Sequence, residues 1–269
     1  MDTISLDLGG FAEPPAASVS APPPLPPEAL EAAAPLDPRV SLRDVVEMLL
    51  KDRLRLDRYL RDDSGQRRII PHLLAVAVAG FSLFGLTATL LLNLVRHASG
   101  FWLPAVPASY WTEASLANLT LAYVLGLIAA NGICLPSFYF YGLLSGVRIS
   151  MLGAAAHALK GMAAGAVALV GILPAYVPVA LSAVIWSDNP ALLTLCSAVA
   201  LLLPFVAGLW GARSLYEGFV GLADTIPCDR REGRRCLLRR LVFAWCGCYT
   251  FVTPLVIYTL WFRLAQITS

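Results

Sequence analysis

The chain has 269 residues, of which 58% are hydrophobic and only 14% charged, and its mean hydropathy is +0.69. Soluble domains run at about 45–50% apolar and about 25% charged, so the composition argues against a water-soluble enzyme. The net charge of +2 is too small to indicate nucleic acid as a partner.

Residues 1–40 form an acidic tail rich in Pro and Ala. Asp2, Asp7, Glu13, Glu28, Glu31 and Asp37 precede its first basic residue, Arg39. Such a segment has too little apolar surface to order itself, so a disordered cytosolic extension is expected. The run Pro22–Pro27 also suits a polyproline-II docking segment, but lacks a flanking arginine. The first 30 residues show neither a basic nor an apolar leader region, so no cleavable signal peptide is expected.

Residues 41–68 read as an amphipathic cytosolic helix, regular over 41–63. Ser41 caps it and Asp44 completes a near capping box. At 100° per residue, Leu42, Val46, Leu49, Leu56 and Leu60 share one face. Arg53 and Asp57 break into that face at i, i+4 spacing and are expected to neutralise each other. These seven residues are the candidate docking surface for a partner protein. The competing reading packs the same face on the chain's own membrane helices.

The membrane domain, residues 69–269, holds five stretches long enough to cross a bilayer, which needs roughly 20 apolar residues. They are Pro71–Val95, Leu119–Val147, a core within Gly161–Trp186, Pro190–Ala212 and Leu241–Phe262. None of these contains an acidic residue, and basic residues gather between them. Of the 20 Lys and Arg, all but Arg96 and Arg263 fall on one side, with Arg148 and Lys160 assigned to the loop between spans two and three. The positive-inside rule then places the N-terminus in the cytosol and the C-terminus outside. Trp102, Tyr110, Trp111, Trp186 and Trp261 gather at the outer face, as interfacial aromatics do. Arg230, Arg231, Arg234, Arg235, Arg239 and Arg240, before the last span, are candidate contacts for anionic lipid headgroups.

Chemistry-bearing residues are sparse. Asn131 is the most polar side chain deep in a span and suits helix–helix hydrogen bonding. Pro136, Pro174, Pro178, Pro204 and Pro254 interrupt four spans, as happens in transporters and in passive bundles alike. Gly142 with Gly146, and Gly161 with Gly165, form G-x-x-x-G pairs that let helices approach closely. His157, Cys228 and Cys236 share the cytosolic side without a standard zinc spacing. No nucleotide, metalloprotease or serine-hydrolase motif occurs, and no catalytic residue, cofactor or metal is expected.

Leu135-Pro136-Ser137-Phe138-Tyr139, followed by Leu143-Leu144-Ser145-Gly146-Val147-Arg148-Ile149-Ser150, resembles a pattern in bacterial multi-span membrane proteins. Their plan is similar to the Yip1-type five-helix domain. The resemblance covers about residues 41–262 and implies a fold, not an activity. The expectation is therefore an all-α polytopic bundle of five transmembrane helices in a bacterial inner membrane. Its leading role is a non-enzymatic anchor or assembly subunit, with the lipid bilayer and other membrane or cytosolic proteins as partners. The alternative is a transporter or channel for a neutral or lipidic solute.

Overall fold

In water, the long uncharged stretches of this chain would have no stable home. Folded as helices they satisfy their own backbone groups and place apolar side chains outward as well as inward. A computed structural model describes residues 40–99, 113–144, 149–186, 190–223 and 231–268. The tail before residue 40 lies outside the described residues. Those described belong to one compact unit, Asp37–Ser269, and are helical apart from short turns. In chain order the helices are α1 Leu42–Leu50, α2 Arg53–Arg61, α3 Asp63–Ser99, α4 Glu113–Leu144, α5 Met151–Trp186, α6 Pro190–Ala223 and α7 Arg231–Thr268.

The single amphipathic helix expected over 41–63 is two short helices. Ser41 and Asp44 form the capping box: Ser41 N donates to Asp44 Oδ2 at 2.8 Å, and Asp44 N to Ser41 Oγ at 3.3 Å. The break follows from two further aspartates. Asp52 caps α2, its Oδ1 accepting from Arg55 N at 2.9 Å. Asp62 ends α2 and opens α3, accepting from Gly65 N at 3.0 Å and from the Ser64 hydroxyl. Short carboxylate side chains that bond nearby backbone N–H groups favour caps over helix interiors. Freed from α2, α1 turns its buried stripe to Val45, Met48 and Leu49; Leu42 is left exposed and Val46 half-buried. In α2, Leu56, Tyr59 and Leu60 are buried. Both helices lie against α3 and α5.

Five helices, α3 to α7, are long and apolar enough to cross a membrane. They form a ring. α3 lies along α5 and α4 along α7 most extensively, α5 along α6 nearly as much, α3 against α4 less, and α6 against α7 least. The order around the ring is therefore α3, α5, α6, α7, α4.

Three seams of the ring rest on glycine. On α3, a Cβ at Gly80 would stand 2.9 Å from Ala166 Cβ of α5. On α6, a Cβ at Gly211 would stand 2.6 Å from the Gly161 carbonyl oxygen of α5, and one at Gly161 would stand 3.1 Å from that of Gly211. On α4, a Cβ at Gly126 would stand 2.5 Å from Ile257 Cγ1 of α7. Small residues let backbones approach, which matters where lipid removes the hydrophobic drive for helix association. Of the glycines expected to pack helices, Gly161 and Gly165 face Gly211 and the Ala207 carbonyl across the α5–α6 crossing. Gly142 is buried on α4, and Gly146 lies outside the described residues.

Candidate functional site

Two features of the ring carry chemistry: a charged cluster at the end covered by α1 and α2, and a cavity between the helices.

The cluster begins with Lys160. Assigned by sequence to a loop, it sits inside α5, with only 1% of its side chain exposed. Burying an ammonium is costly unless it is paired. The partner is Asp57 of α2, whose Oδ1 accepts from Lys160 Nζ at 2.5 Å. This corrects the expected pairing of Arg53 with Asp57 along one helix. Arg53 instead donates from Nη1 to Glu217 Oε2 of α6 at 2.6 Å, and Arg213 Nε reaches the other Glu217 oxygen at 2.8 Å. The i, i+4 rule holds for an isolated helix surface; here the ends of α5 and α6 offer closer counter-charges. α2 is thereby tied to both α5 and α6. His157, one turn before Lys160, is buried against Gly218 of α6, where an added Cβ would stand 2.9 Å from its Nδ1.

These contacts decide where the candidate docking residues lie. Leu49, Leu56 and Leu60 are buried, and Arg53 and Asp57 hold the bundle. Val46 is half-buried and Leu42 is exposed. Of the candidate lipid-contact arginines, Arg239 and Arg240 are exposed on α7, and Arg239 lies 5.8 Å above the Phe243 ring. Arg231, Arg234 and Arg235 fall on the first turns of α7, and Arg230 lies outside the described residues. No cluster of three metal-ligating side chains occurs among the described residues.

The cavity, about 420 Å³, lies inside the ring and takes lining residues from all five long helices. Its size falls within the range of small-molecule sites. Phe81, Phe84, Leu127, Met162 and Leu169 make its wall apolar, and no described residue lining it is charged. Polar atoms in the wall are few. Tyr249 Oη donates to the Leu127 carbonyl at 3.3 Å, Thr253 Oγ1 to the Tyr249 carbonyl at 2.7 Å, and Thr89 bonds Thr120 at 2.9 Å. Tyr123 is different. Its ring is wedged between Phe81 and Phe84, and its buried hydroxyl has no hydrogen-bond partner among the described residues. Asn131 is buried nearer the other end of α4, outside the lining. Its Oδ1 likewise meets no donor among the described residues.

Sequence reading did not find Lys160, Tyr123, Gly211 or Gly208 as site residues. Gly211 and Gly208 carried only the small-residue spacings Ala207-x-x-x-Gly211 and Gly208-x-x-x-Ala212, which do not tell a closed seam from an open one. The class is that of a multi-pass membrane protein with a charge-free chamber among its helices. Comparison with protein-family models, characterised proteins and solved structures finds no match.

Proposed function

We propose that this chain is a non-enzymatic membrane protein that carries or transports a neutral, lipidic molecule held among its spans. The observation that supports this reading is the apolar chamber of about 420 Å³, with no charged side chain among the described residues that line it. Charge-free walls suit a neutral guest, because a buried charge without a partner is strongly disfavoured in such a medium. Native mass spectrometry of the protein released from lipid nanodiscs tests it. Wild type should retain a neutral-lipid adduct. Ala88→Phe, which fills space at a half-buried wall position, should lose that adduct without loss of thermal stability. Absence of any adduct from wild type would refute the reading.

The proposal includes an orientation. The skew of 18 of the 20 basic residues to one side supports a cytosolic α1–α2 end and an outside end of α7. The bacterial inner membrane and the Yip1-type five-helix plan are proposed from the resemblance of residues 135–150 alone. A periplasm-active reporter should work after Ser269 and stay silent after Gly233; the reverse pattern would overturn the orientation. The anchor reading keeps one observation in its favour. Leu50 and Leu54 are 62% and 78% exposed on the outer side of α1 and α2, beside Lys51 and Arg55. An assembly partner seated there should be lost from pull-downs by Leu54→Asp with the adduct retained.

A further inference from the structure

The shape of the chamber narrows the guest and its route, an inference that rests on the reading just proposed. Along α7 the lining runs from Trp245 to Trp261, about 24 Å at 1.5 Å per residue. The chamber therefore runs lengthwise along the helices, as an extended hydrocarbon chain would lie.

The chamber is open on one side. Its exposed lining residues are Phe205, Gly208 and Leu209 on α6, and Thr250, Pro254 and Tyr258 on α7. On α3, α4 and α5 every described lining residue is buried or half-buried. The opening therefore lies in the seam where the ring is thinnest. It falls within the spans Ala191–Gly218 and Arg239–Ile267, so it faces lipid. Each helix carries a proline there. Pro204 and Pro254 supply no N–H to the carbonyls of Ala200 and Thr250, which also line the chamber. A Cβ at Gly208 would meet nothing within 4 Å.

Tyr123 lines the chamber, and its buried hydroxyl, without a hydrogen-bond partner among the described residues, marks a second specificity. A buried donor without an acceptor is unfavourable, and an apolar chamber lacks the several polar groups that hold an ordered water. We infer that one chain of a neutral, oxygen-bearing lipid enters from the bilayer between α6 and α7, and that its oxygen accepts a hydrogen bond from Tyr123 Oη.

The test uses the full chain in nanodiscs with two photoreactive probes, hexadecanol and hexadecane, each carrying a diazirine near the chain end. Labelling is mapped at buried wall positions such as Leu127 and Leu169. Hexadecanol should label the interior about fivefold more than hexadecane at equal mole fraction, the ratio expected for one added hydrogen bond. Tyr123→Phe should bring hexadecanol down to the hexadecane level. Gly208→Phe, growing into open space, should slow interior labelling by both probes while the melting temperature holds. Equal labelling by both probes in wild type would overturn the role of Tyr123 and leave the chamber reading standing. Unchanged loading in Gly208→Phe would overturn lateral entry. If neither probe reaches the interior of wild type, the chamber reading itself fails.

Discussion

The two faces of α6 differ in how they are closed. Toward α5, the backbones touch at Gly211 and Gly161, Tyr176 Oη donates to the Cys196 carbonyl at 2.8 Å, and α2 binds both helix ends through Lys160 and Glu217. Toward α7, Gly208 faces open space beside the chamber's exposed wall. Gly208 and Gly211 are less than one turn apart on one helix, so the same residue type closes one seam and leaves the other open. In lipid, apolar side chains gain little by leaving the bilayer. Closure must then come from backbone approach, interhelical hydrogen bonds and matched charge, and the α5–α6 seam has all three.

The comparison is broken most severely by removing the charge match. Asp57→Ala leaves Lys160 buried without its counter-charge and should cost about 3 kcal/mol of stability in detergent unfolding. Adding Lys160→Met should restore most of it, and a double variant no more stable than Asp57→Ala would show that the pair does not clamp α2. Gly211→Ala comes next. Its Cβ would press on a backbone carbonyl that cannot rotate away, so a loss of about 2 kcal/mol is expected. Gly208→Ala, its counterpart on the open side, should stay within about 0.5 kcal/mol of wild type. Equal effects at the two glycines would erase the distinction between the seams. Arg53→Ala should cost under about 1 kcal/mol, because both partners are more than a third exposed.

The smallest effect lies at the edge of the clamp, in the α1 cap. The Ser41 backbone N–H, then its hydroxyl, hold the Asp44 carboxyl below its ordinary value of 3.8. A depressed folded pKa means the contribution is complete above 3.8 and is lost as pH falls through the folded value. A carbon-13 carboxyl titration should place the Asp44 midpoint below 3.8 in wild type and raise it only part of the way in Ser41→Ala, which loses the hydroxyl but keeps the backbone N–H; a wild-type midpoint at or above 3.8 would remove the cap from the account.

The spans and the Ser41 cap were legible because each is written in adjacent residues. Hydropathy marks a span wherever it lies, and a capping box needs only four positions. The order of helices around the ring was not legible. A lipid-facing and a ring-facing residue are both apolar, so the 3.6-residue rhythm that assigns faces in water is nearly absent from α4 and α6. Gly161 and Gly165 stood out as a repeat, but nothing in the sequence named Gly211 as the surface they meet. Asp57 and Lys160 are 103 positions apart. Local spacing offered Arg53 as the nearer partner, and only tertiary proximity separates the two choices. The chamber left only a trace in the sequence: Pro204 and Pro254 stood out as interruptions of their spans, but nothing local showed that they line one gap between two helices.

The central claim, that lipid chains occupy a chamber entered between α6 and α7, is met most directly by Trp245. This side chain is 6% exposed and lines the chamber. With the other five tryptophans replaced by Phe, its fluorescence reports a single site. In vesicles of lipid brominated on the acyl chain, Trp245 should be quenched strongly, and Gly208→Phe should slow the onset of that quenching after brominated lipid is added. Trp245 fluorescence equal in brominated and plain lipid would contradict the account.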